Sequence, residues 1–456
     1  MTGNKQDTIV AVSTPPGFGA ISIVRLSGPD SLKIAKKFFV PSRREILPRH
    51  ATLGRVFDGK ELVDEVILIY YKAPESYTGE DMVELNCHGS PYIVEQIVRL
   101  SLHNGARAAE PGEFTKRAFL NGKMELTQAE AVADLISSLT RTSHKASLSL
   151  LEGKLGKKIS FLRQQLIDLI ALLELELDFQ EEDVENIPRS ELLKRLKELK
   201  TTLNSLVKNY NFGKLIQQGI KVAIVGPPNS GKSTLLNAFL KEERAITSPI
   251  PGTTRDYIQE AVSINGYLFL LIDTAGLRDT EDEIEKAGIE KTRRLMNSSE
   301  IILYVIDASN PHDIEHAKNI REIKASSTII ALNKIDKIPE RKTEAILQTF
   351  KDQQAIGISS KYGIGIHQLA ELMIEKIKNK YPETGDFILI NQRHYKELND
   401  ARRAIQNAIN STKRDMPPEI IVTDLRIALE HFDRILGKTT NDDILDSIFS
   451  RFCIGK

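Results

Sequence analysis

Residues 226–233 (GPPNSGKS), near the middle of the chain, have the spacing of a phosphate-binding loop. The glycines of such a loop let the backbone curl so that successive N–H groups point at phosphate oxygens. Lys232 would place positive charge on the outer phosphates, and the hydroxyl of Ser233 is a magnesium ligand. Asn229 carries a side-chain oxygen that fits a monovalent cation at the position where an arginine finger otherwise supplies charge.

Four further segments lie after this loop, in the order that a GTP site requires. Asp273 ends an apolar run and would hold magnesium through water, while Gly276 would bend toward the terminal phosphate. Asp336 follows a later apolar run and can accept two hydrogen bonds from guanine, which adenine cannot offer in that arrangement. Thr254 is the candidate switch threonine on magnesium, and residues 359–361 would close the base pocket.

These segments together predict the residues that surround GTP. They are Asn229, Ser230, Gly231, Lys232, Ser233, Thr234, Ser248, Pro249, Ile250, Pro251, Gly252, Thr253, Thr254, Asp273, Thr274, Ala275, Gly276, Asn333, Lys334, Asp336, Ser359, Ser360 and Lys361. Many G proteins orient the attacking water with a glutamine after Gly276, but here that residue is Leu277. Another group must therefore position the water. The acidic segment 278–285 offers carboxylates, although a solvated acidic loop is the alternative.

The pattern around these segments predicts the elements that position them. Short apolar runs at 220–225, 267–272, 301–306, 328–332 and 355–358 alternate with helix-like segments. This alternation indicates a doubly wound, mostly parallel sheet, a Ras-like P-loop G domain. An Asn265–Gly266 pair between two of the runs predicts a hairpin at one edge of the sheet.

Helical patterns flank this unit on both sides. One apolar stripe recurs every three or four residues from Leu155 to Leu177, and further helical patterns cover 194–206, 396–409 and 420–436. We interpret them as one discontinuous helical domain with the G domain inserted in it; two separate bundles are the alternative. Short β-rich runs punctuated by glycine and proline predict an N-terminal α/β domain. The predicted domains are 1–118, 119–216 with 383–456, and 217–382.

Composition limits the class of protein. Lys and Arg number 62, as do Asp and Glu, so the balanced charge argues against binding nucleic acid mainly through bulk charge. Two cysteines are too few for a disulfide framework. Without a signal-like N-terminus or a membrane-length apolar run, the expected compartment is the cytoplasm. Cys453 is either a reactive thiol or a buried small apolar residue.

The whole chain resembles the tRNA-modifying GTPase family MnmE, also called TrmE. In the N-terminal part the resemblance rests on residues 7–11 (DTIVA), 14–17 (TPPG), 77–81 (YTGED), 88–89 (HG) and 111–121 (PGEFTKRAFLN). In the G domain it rests on residues 252–256 (GTTRD) and 273–278 (DTAGLR). The last five residues, FCIGK, are highly specific to the family.

The resemblance implies a tetrahydrofolate-binding N-terminal domain, a two-segment helical domain and an inserted GTPase. It implies a homodimer whose G domains meet, with hydrolysis that depends on potassium. Ser233 and Thr254 would bind magnesium, and Lys232, Thr254 and Glu285 would be catalytic, Glu285 acting behind the water. The residues implied around potassium are Asn229, Ser248, Ile250 and Thr253.

The resemblance also implies the substrate and the partners. A folate site for 5-formyl- or methylene-tetrahydrofolate would use Arg25, Glu84, Lys123 and Lys456, whereas ordinary surface ion pairing is the alternative for the first three. The family works with the flavin-dependent partner MnmG (GidA) in a heterotetramer. It adds an aminomethyl-type group to carbon 5 of the wobble uridine of certain tRNAs, a carboxymethylaminomethyl-type modification.

Two other functions remain open from the residues. A ribosome-assembly GTPase similar to Era would carry an RNA-binding module with a Gly-x-x-Gly loop after the G domain, and no such pattern follows residue 383. A scaffold that binds GTP without hydrolysing it would not need both magnesium ligands.

Overall fold

The computed structural model describes residues 7–42, 45–178, 187–242, 244–245, 259–273, 293–319, 327–350, 353–381, 388–439 and 442–456. The chain divides into two compact units. The first comprises Met1–Ile136, Leu150–Leu199 and Asp400–Lys456, and the second comprises Ser137–Ser149 and Lys200–Asn399. No helix among the described residues is long and apolar enough to span a bilayer.

The first unit contains a seven-stranded mixed sheet with the strand order β3-β4-β5-β6-β2-β1-β7. Its strands are β1 (Ile9–Val12), β2 (Gly19–Ser27), β3 (Phe39–Pro41), β4 (Ala51–Asp58), β5 (Glu61–Tyr71), β6 (Met82–Gly89) and β7 (Arg107–Ala108). Alternate residues such as Val83 and Leu85 enter the apolar core, so that Glu84 between them points to the opposite face. Antiparallel pairing of β2 with β6 then sets Arg25 directly opposite Glu84.

Helices from distant parts of the chain complete the first unit. The helices that precede the second sheet in the chain are α1 (Ser31–Ala35), α2 (Pro91–His103), α3 (Glu113–Leu120), α4 (Leu126–Ile136), α5 (Arg141–Leu151), α6 (Lys154–Asp178) and α7 (Arg189–Gln218). Most of α5, and α7 from residue 200 onward, belong to the second unit. The C-terminal helices are α12 (Gln392–Lys413), α13 (Pro418–Leu436) and α14 (Asp442–Phe449). Helix α6 packs against α13, where Arg163 and Asp433 form an ion pair at 2.5 Å. Helical segments from both sides of the inserted unit therefore share one compact unit.

The second unit is built on another seven-stranded sheet, with the strand order β14-β13-β12-β8-β11-β10-β9. The strands are β8 (Ile220–Val225), β9 (Arg244–Ala245), β10 (Gln259–Ile264), β11 (Tyr267–Asp273), β12 (Ile301–Asp307), β13 (Thr328–Asn333) and β14 (Gln354–Gly357). Its remaining helices are α8 (Lys232–Glu242), α9 (Pro311–Asn319), α10 (Glu340–Gln348) and α11 (Ile366–Lys380). The five strands from β14 to β11 pair in parallel, β10 runs antiparallel to β11, and the edge strand β9 pairs antiparallel with β10.

The fold class predicted from the sequence is confirmed. Both sheets and the predicted parallel order are present, and the hairpin between β10 and β11 turns at Asn265 and Gly266, both with positive φ. The stripe on α6 is buried from Leu155 to Leu173, while Leu177 is only half-buried. Several helices are longer than predicted, because their polar ends add no apolar periodicity to the sequence. The three predicted domain boundaries remain predictions.

Candidate functional site

The predicted phosphate loop connects the buried strand β8 to helix α8, as its pattern requires. Gly226 has φ +147°, and a Cβ there would lie 2.1 Å from the carbonyl oxygen of Val305 in the next strand. Gly231 has φ +99°, and a Cβ there would lie 2.3 Å from Nδ2 of Asn333. Both contacts exclude a side chain, so the two glycines of the pattern are required by the packing of the loop on β12 and β13.

The side chains at the end of this loop are arranged for phosphate and magnesium. Lys232 donates from Nζ to the carbonyl oxygens of Gly226 (3.0 Å) and Pro227 (2.8 Å), so its ammonium group lies inside the loop. The hydroxyl of Ser233 donates to Oδ2 of Asp273 at 2.9 Å. A hydroxyl and a carboxylate oxygen held this close fit a hard oxygen-binding cation such as Mg²⁺.

Two other residues of the loop and helix were predicted to contact GTP. The hydroxyl of Ser230 is fully buried and has no hydrogen-bond partner among the described residues. Thr234 lies exposed on the first turn of α8. A buried hydroxyl without a partner is what a loop shaped to hydrogen-bond a bound ligand would show.

The predicted base-binding residues gather at the carboxyl end of β13. Oδ1 of Asn333 accepts hydrogen bonds from the backbone N–H (3.0 Å) and the hydroxyl (2.9 Å) of Ser360. The buried hydroxyl of Ser359 donates to Oδ1 of Asp336 at 2.5 Å. Lys361 is exposed, with its Nζ 5.0 Å from the centre of the Tyr362 ring. Ser359 thus fixes the carboxylate that is predicted to read guanine.

Several predicted residues lie outside the described part of the chain. They are Ser248, Pro249, Ile250, Pro251, Gly252, Thr253, Thr254, Thr274, Ala275, Gly276 and Glu285. Of the residues predicted around potassium, only Asn229 is described, and its backbone has φ +60°.

The predicted folate residues Arg25 and Glu84 contact each other on the face of the first sheet opposite the core. Arg25 donates from Nε (2.9 Å) and Nη2 (2.7 Å) to Oε1 of Glu84. The two residues thus form the ion pair that was the alternative to a folate site, and their side chains are only 18% and 13% exposed, so the pair is semi-buried. The Arg25 guanidinium also lies 5.6 Å and 5.7 Å from the ring centres of Tyr77 and Phe114.

Tyr71 completes this cluster, and the sequence motifs did not single it out. Its hydroxyl donates to the second oxygen of Glu84 at 3.2 Å. Burial, followed by the charge of Glu84, raises the pKa of Tyr71, so its hydroxyl stays protonated and remains a donor at neutral pH. The period-two alternation of β5 places Tyr71 on the same face as Ile69, which pairs with Glu84, but the pairing itself is needed to recognise the contact.

The last residues of the chain return to the same sheet. The backbone N–H of Phe114 donates to the carbonyl oxygen of Lys456 at 3.2 Å, and the hydroxyl of Ser13 donates to that of Gly455, also at 3.2 Å. Ile454 forms a bridge with Pro111. Lys456 is thereby tied to Phe114, whose ring faces Arg25.

The fourth predicted folate residue and the two thiols are placed differently. Lys123 is exposed and donates from Nζ to the carbonyl oxygen of Pro74 at 3.1 Å, next to the loop that carries Tyr77. Cys453 is exposed, so the alternative of a buried apolar residue is wrong. Cys87 lies in the sheet core, where burial raises its pKa to about 11 and keeps the thiol protonated.

Comparisons with known proteins match the chain from end to end. The family described as "GTP-binding protein TrmE N-terminus" matches residues 8–123, and the family described as "MnmE helical domain" matches residues 126–453. A tRNA modification GTPase MnmE from Aquifex aeolicus is 45% identical over 99% of this chain and 100% of its own length. One from Cytophaga hutchinsonii is 42% identical over 99% of this chain and 98% of its own length. The G domain of the T. maritima FeoB iron transporter covers 34% of this chain and 98% of its own at 27% identity, with a TM-score of only 0.26.

Proposed function

This chain belongs to the MnmE family of tRNA modification GTPases, and on that premise we propose that it couples potassium-assisted GTP hydrolysis to the modification of the wobble uridine in certain tRNAs. It is a GTP hydrolase that takes part in tRNA modification. The match over 99% of the chain favours this function over ribosome assembly or a non-catalytic scaffold.

The observation that carries the proposal is the meeting of Ser233 with Asp273 beside a phosphate loop that contains Lys232. We propose that Ser233, with Thr254 from outside the described residues, binds magnesium and that Asp273 holds it through water. Mg²⁺, when bound there, would supply positive charge against the negative charge that develops on the phosphates during hydrolysis. When GTP binds, the Lys232 ammonium group would leave the two loop carbonyl oxygens and contact phosphate oxygens instead. Its positive charge would thus already lie in the loop before the nucleotide arrives.

Guanine specificity would come from Asp336. Its carboxylate would accept hydrogen bonds from the amino group and ring N–H of guanine, and Ser359 orients it for that contact. An adenine ring would present a lone pair where guanine presents its N–H, leaving the carboxylate unsatisfied. We therefore expect discrimination between GTP and ATP to depend on Asp336.

The further positive charge that an arginine finger supplies in other GTPases would come here from potassium. Asn229 would contribute its side-chain oxygen, and Ser248, Ile250 and Thr253 would complete the ligand set. Because Leu277 cannot orient water, Glu285 would take that role, brought into place when two G domains meet across the homodimer.

A tetrahydrofolate derivative bound at the first sheet would supply the one-carbon unit. A pterin shares the amino-oxo-pyrimidine edge of guanine, so Glu84 would grip it as Asp336 grips guanine. The semi-buried position of Glu84 and its contacts with Arg25 and Tyr71 support this assignment. Lys456 and Lys123 would pair with the acidic part of the tetrahydrofolate derivative.

The reaction would need two further macromolecules. We propose the flavin-dependent protein MnmG as the partner in a heterotetramer and a tRNA with a modifiable wobble uridine as the substrate. The proposed compartment is the cytoplasm.

The experiment is steady-state GTP hydrolysis by the full chain in potassium or sodium buffer of equal ionic strength. We expect strong stimulation by potassium, which Asn229→Ala abolishes. The matched control is Asn410→Ala, an exposed asparagine on α12, which should respond like the wild type. Equal rates for the wild type in both salts would refute the potassium mechanism while leaving GTP hydrolysis itself intact.

A further inference from the structure

Lys334, which follows strand β13, is fastened on two sides. Its Nζ donates to the backbone carbonyl oxygen of Asn229 at 2.5 Å and to Oδ2 of Asp307 at 2.7 Å. Its backbone adopts φ +64°, a conformation that is uncommon for a residue with a side chain. The side chain therefore forms a fixed bridge between the end of β12 and the phosphate loop.

Asp307 uses both carboxylate oxygens in this bridge. Oδ1 accepts hydrogen bonds from the backbone N–H (2.9 Å) and the hydroxyl (2.6 Å) of Ser309, while Oδ2 holds Lys334. The side chain is only 14% exposed. Burial alone would raise the pKa of Asp307, but the hydrogen bonds from Lys334 and Ser309 hold that pKa below its ordinary value. Asp307 is thus a charged, oriented anchor at neutral pH.

Asn333 holds the next carbonyl along the loop. Its Nδ2 donates to the carbonyl oxygen of Ser230 at 2.8 Å, beside the contact from Lys334 to Asn229. Asn333, the last residue of β13, and Lys334, which follows it, therefore hold two successive carbonyls of the phosphate loop. Asn333 is itself fixed by Ser360, whereas Lys334 is fixed by Asp307.

We infer that Asp307 is a positioning residue for the cation site: through Lys334 it fixes Asn229 in the geometry that binds potassium. This inference rests on the proposed role of Asn229 in potassium binding. In this inference Asp307 is not a ligand of nucleotide or cation; it acts through Lys334 on the backbone from which the Asn229 side chain projects. Without it, the lysine bridge would lose the contact that fixes its direction.

The negative charge of Asp307 should favour cation binding as well as the position of Asn229. The carboxylate of Asp307 neutralises the Lys334 ammonium beside Asn229. Removing that carboxylate leaves an unbalanced positive charge near the proposed cation, which would be repelled. Asp307→Asn removes the charge but keeps an oxygen that can accept from Lys334, while Asp307→Ala removes both.

The test measures the potassium concentration that gives half-maximal GTP hydrolysis in the full chain. Second-layer partners of metal ligands commonly change metal affinity by about tenfold or more, so we expect about a tenfold higher requirement in Asp307→Asn and a larger one in Asp307→Ala. A second readout needs no turnover: binding of a non-hydrolysable GTP analogue in potassium or sodium at equal ionic strength. Because coupling between two ligands is reciprocal, the preference for potassium should shrink in both variants.

Asp313→Asn is the matched control. Asp313 is a buried carboxylate near the same strand end that accepts hydrogen bonds from the backbone N–H of Asp307 and the side chain of Asn310. Asp313→Asn should lower the thermal midpoint of unfolding without raising the potassium concentration needed for half-maximal hydrolysis. If Asp307→Asn has the potassium requirement of the wild type, or if Asp313→Asn raises it equally, the inference is wrong and Asp307 is only a stabilising residue. A wild type that does not respond to potassium would overturn the proposed mechanism as well.

Discussion

Replacing Gly455 with alanine should detach the C-terminal tail from the first sheet. Gly455 has φ +94°, and a Cβ added there would lie 2.0 Å from the carbonyl oxygen of Val12. That neighbour is backbone in the buried strand β1, so it cannot turn aside as a flexible side chain would. The tail itself must move, and Lys456 moves with it.

The size of the effect follows from the contacts that dock the tail. A non-glycine residue at such a φ costs about 1–2 kcal/mol before any clash is counted. Three hydrogen bonds tie the tail to the N-terminal segment, at the carbonyl oxygens of Cys453, Gly455 and Lys456. At about 1 kcal/mol each, their total of about 3 kcal/mol is comparable with the cost of the substitution. The undocked tail should therefore become well populated.

Two assays follow this change. Isothermal titration with 5-formyl-tetrahydrofolate should give about a tenfold weaker affinity, since 1.4 kcal/mol is a factor of ten. Carboxypeptidase B should release Lys456 faster than from the wild type. Gly105→Ala is the control, because Gly105 has φ +108° but a Cβ there meets nothing within 4 Å. Unchanged folate affinity in Gly455→Ala, together with a tail that stays protected, would refute the reasoning.

Two other contacts, one at Asp336 and one at Glu113, give further predictions. Ser359→Ala should weaken GDP binding about tenfold, because it removes the hydrogen bond that orients Asp336. A fluorescence titration that gives the variant the GDP affinity of the wild type would contradict this prediction. Burial would raise the pKa of Glu113, but hydrogen bonds from Arg107, from a backbone N–H and from Arg117 hold it below its ordinary value. The ionised Glu113 carboxylate therefore adds to the free energy of unfolding above the ordinary glutamate pKa of about 4.3, and this stabilisation is lost as the pH falls below that value. Glu113→Gln should therefore lower the urea midpoint at pH 7 and flatten its decline in acid, whereas equal losses at both pH values would count against this linkage.

The strands, loop and helix that carry the candidate nucleotide site could be predicted because their signals are local. Residues 226–233 carry the loop pattern, the flanking apolar run is the strand β8, and Asp273 and Asn333 each end a buried strand as expected. Strand order in a parallel sheet then brings these ends to one edge. No contact between distant segments had to be guessed.

The contacts that sequence reasoning missed join residues far apart in the chain. Ser13 and Gly455 are 442 positions apart, and no periodicity links them. The semi-buried state of Arg25 and Glu84 depends on the pairing of β2 with β6 and on α3, which carries Phe114. The bridge from Asp307 to the phosphate loop needs β12 and β13 side by side in register. Such contacts are set by tertiary packing rather than by local pattern.

The most direct measurement of the central claim is the modification of tRNA itself. A bacterial strain that lacks its own MnmE gene would be complemented with this chain or with Lys232→Ala, and its tRNA nucleosides analysed by mass spectrometry. We predict that the wild-type chain restores the modified wobble uridine, that Lys232→Ala does not, and that the control Asn410→Ala restores it fully. Restoration by Lys232→Ala at equal protein levels, or no restoration by the wild type beside its MnmG partner, would contradict the account.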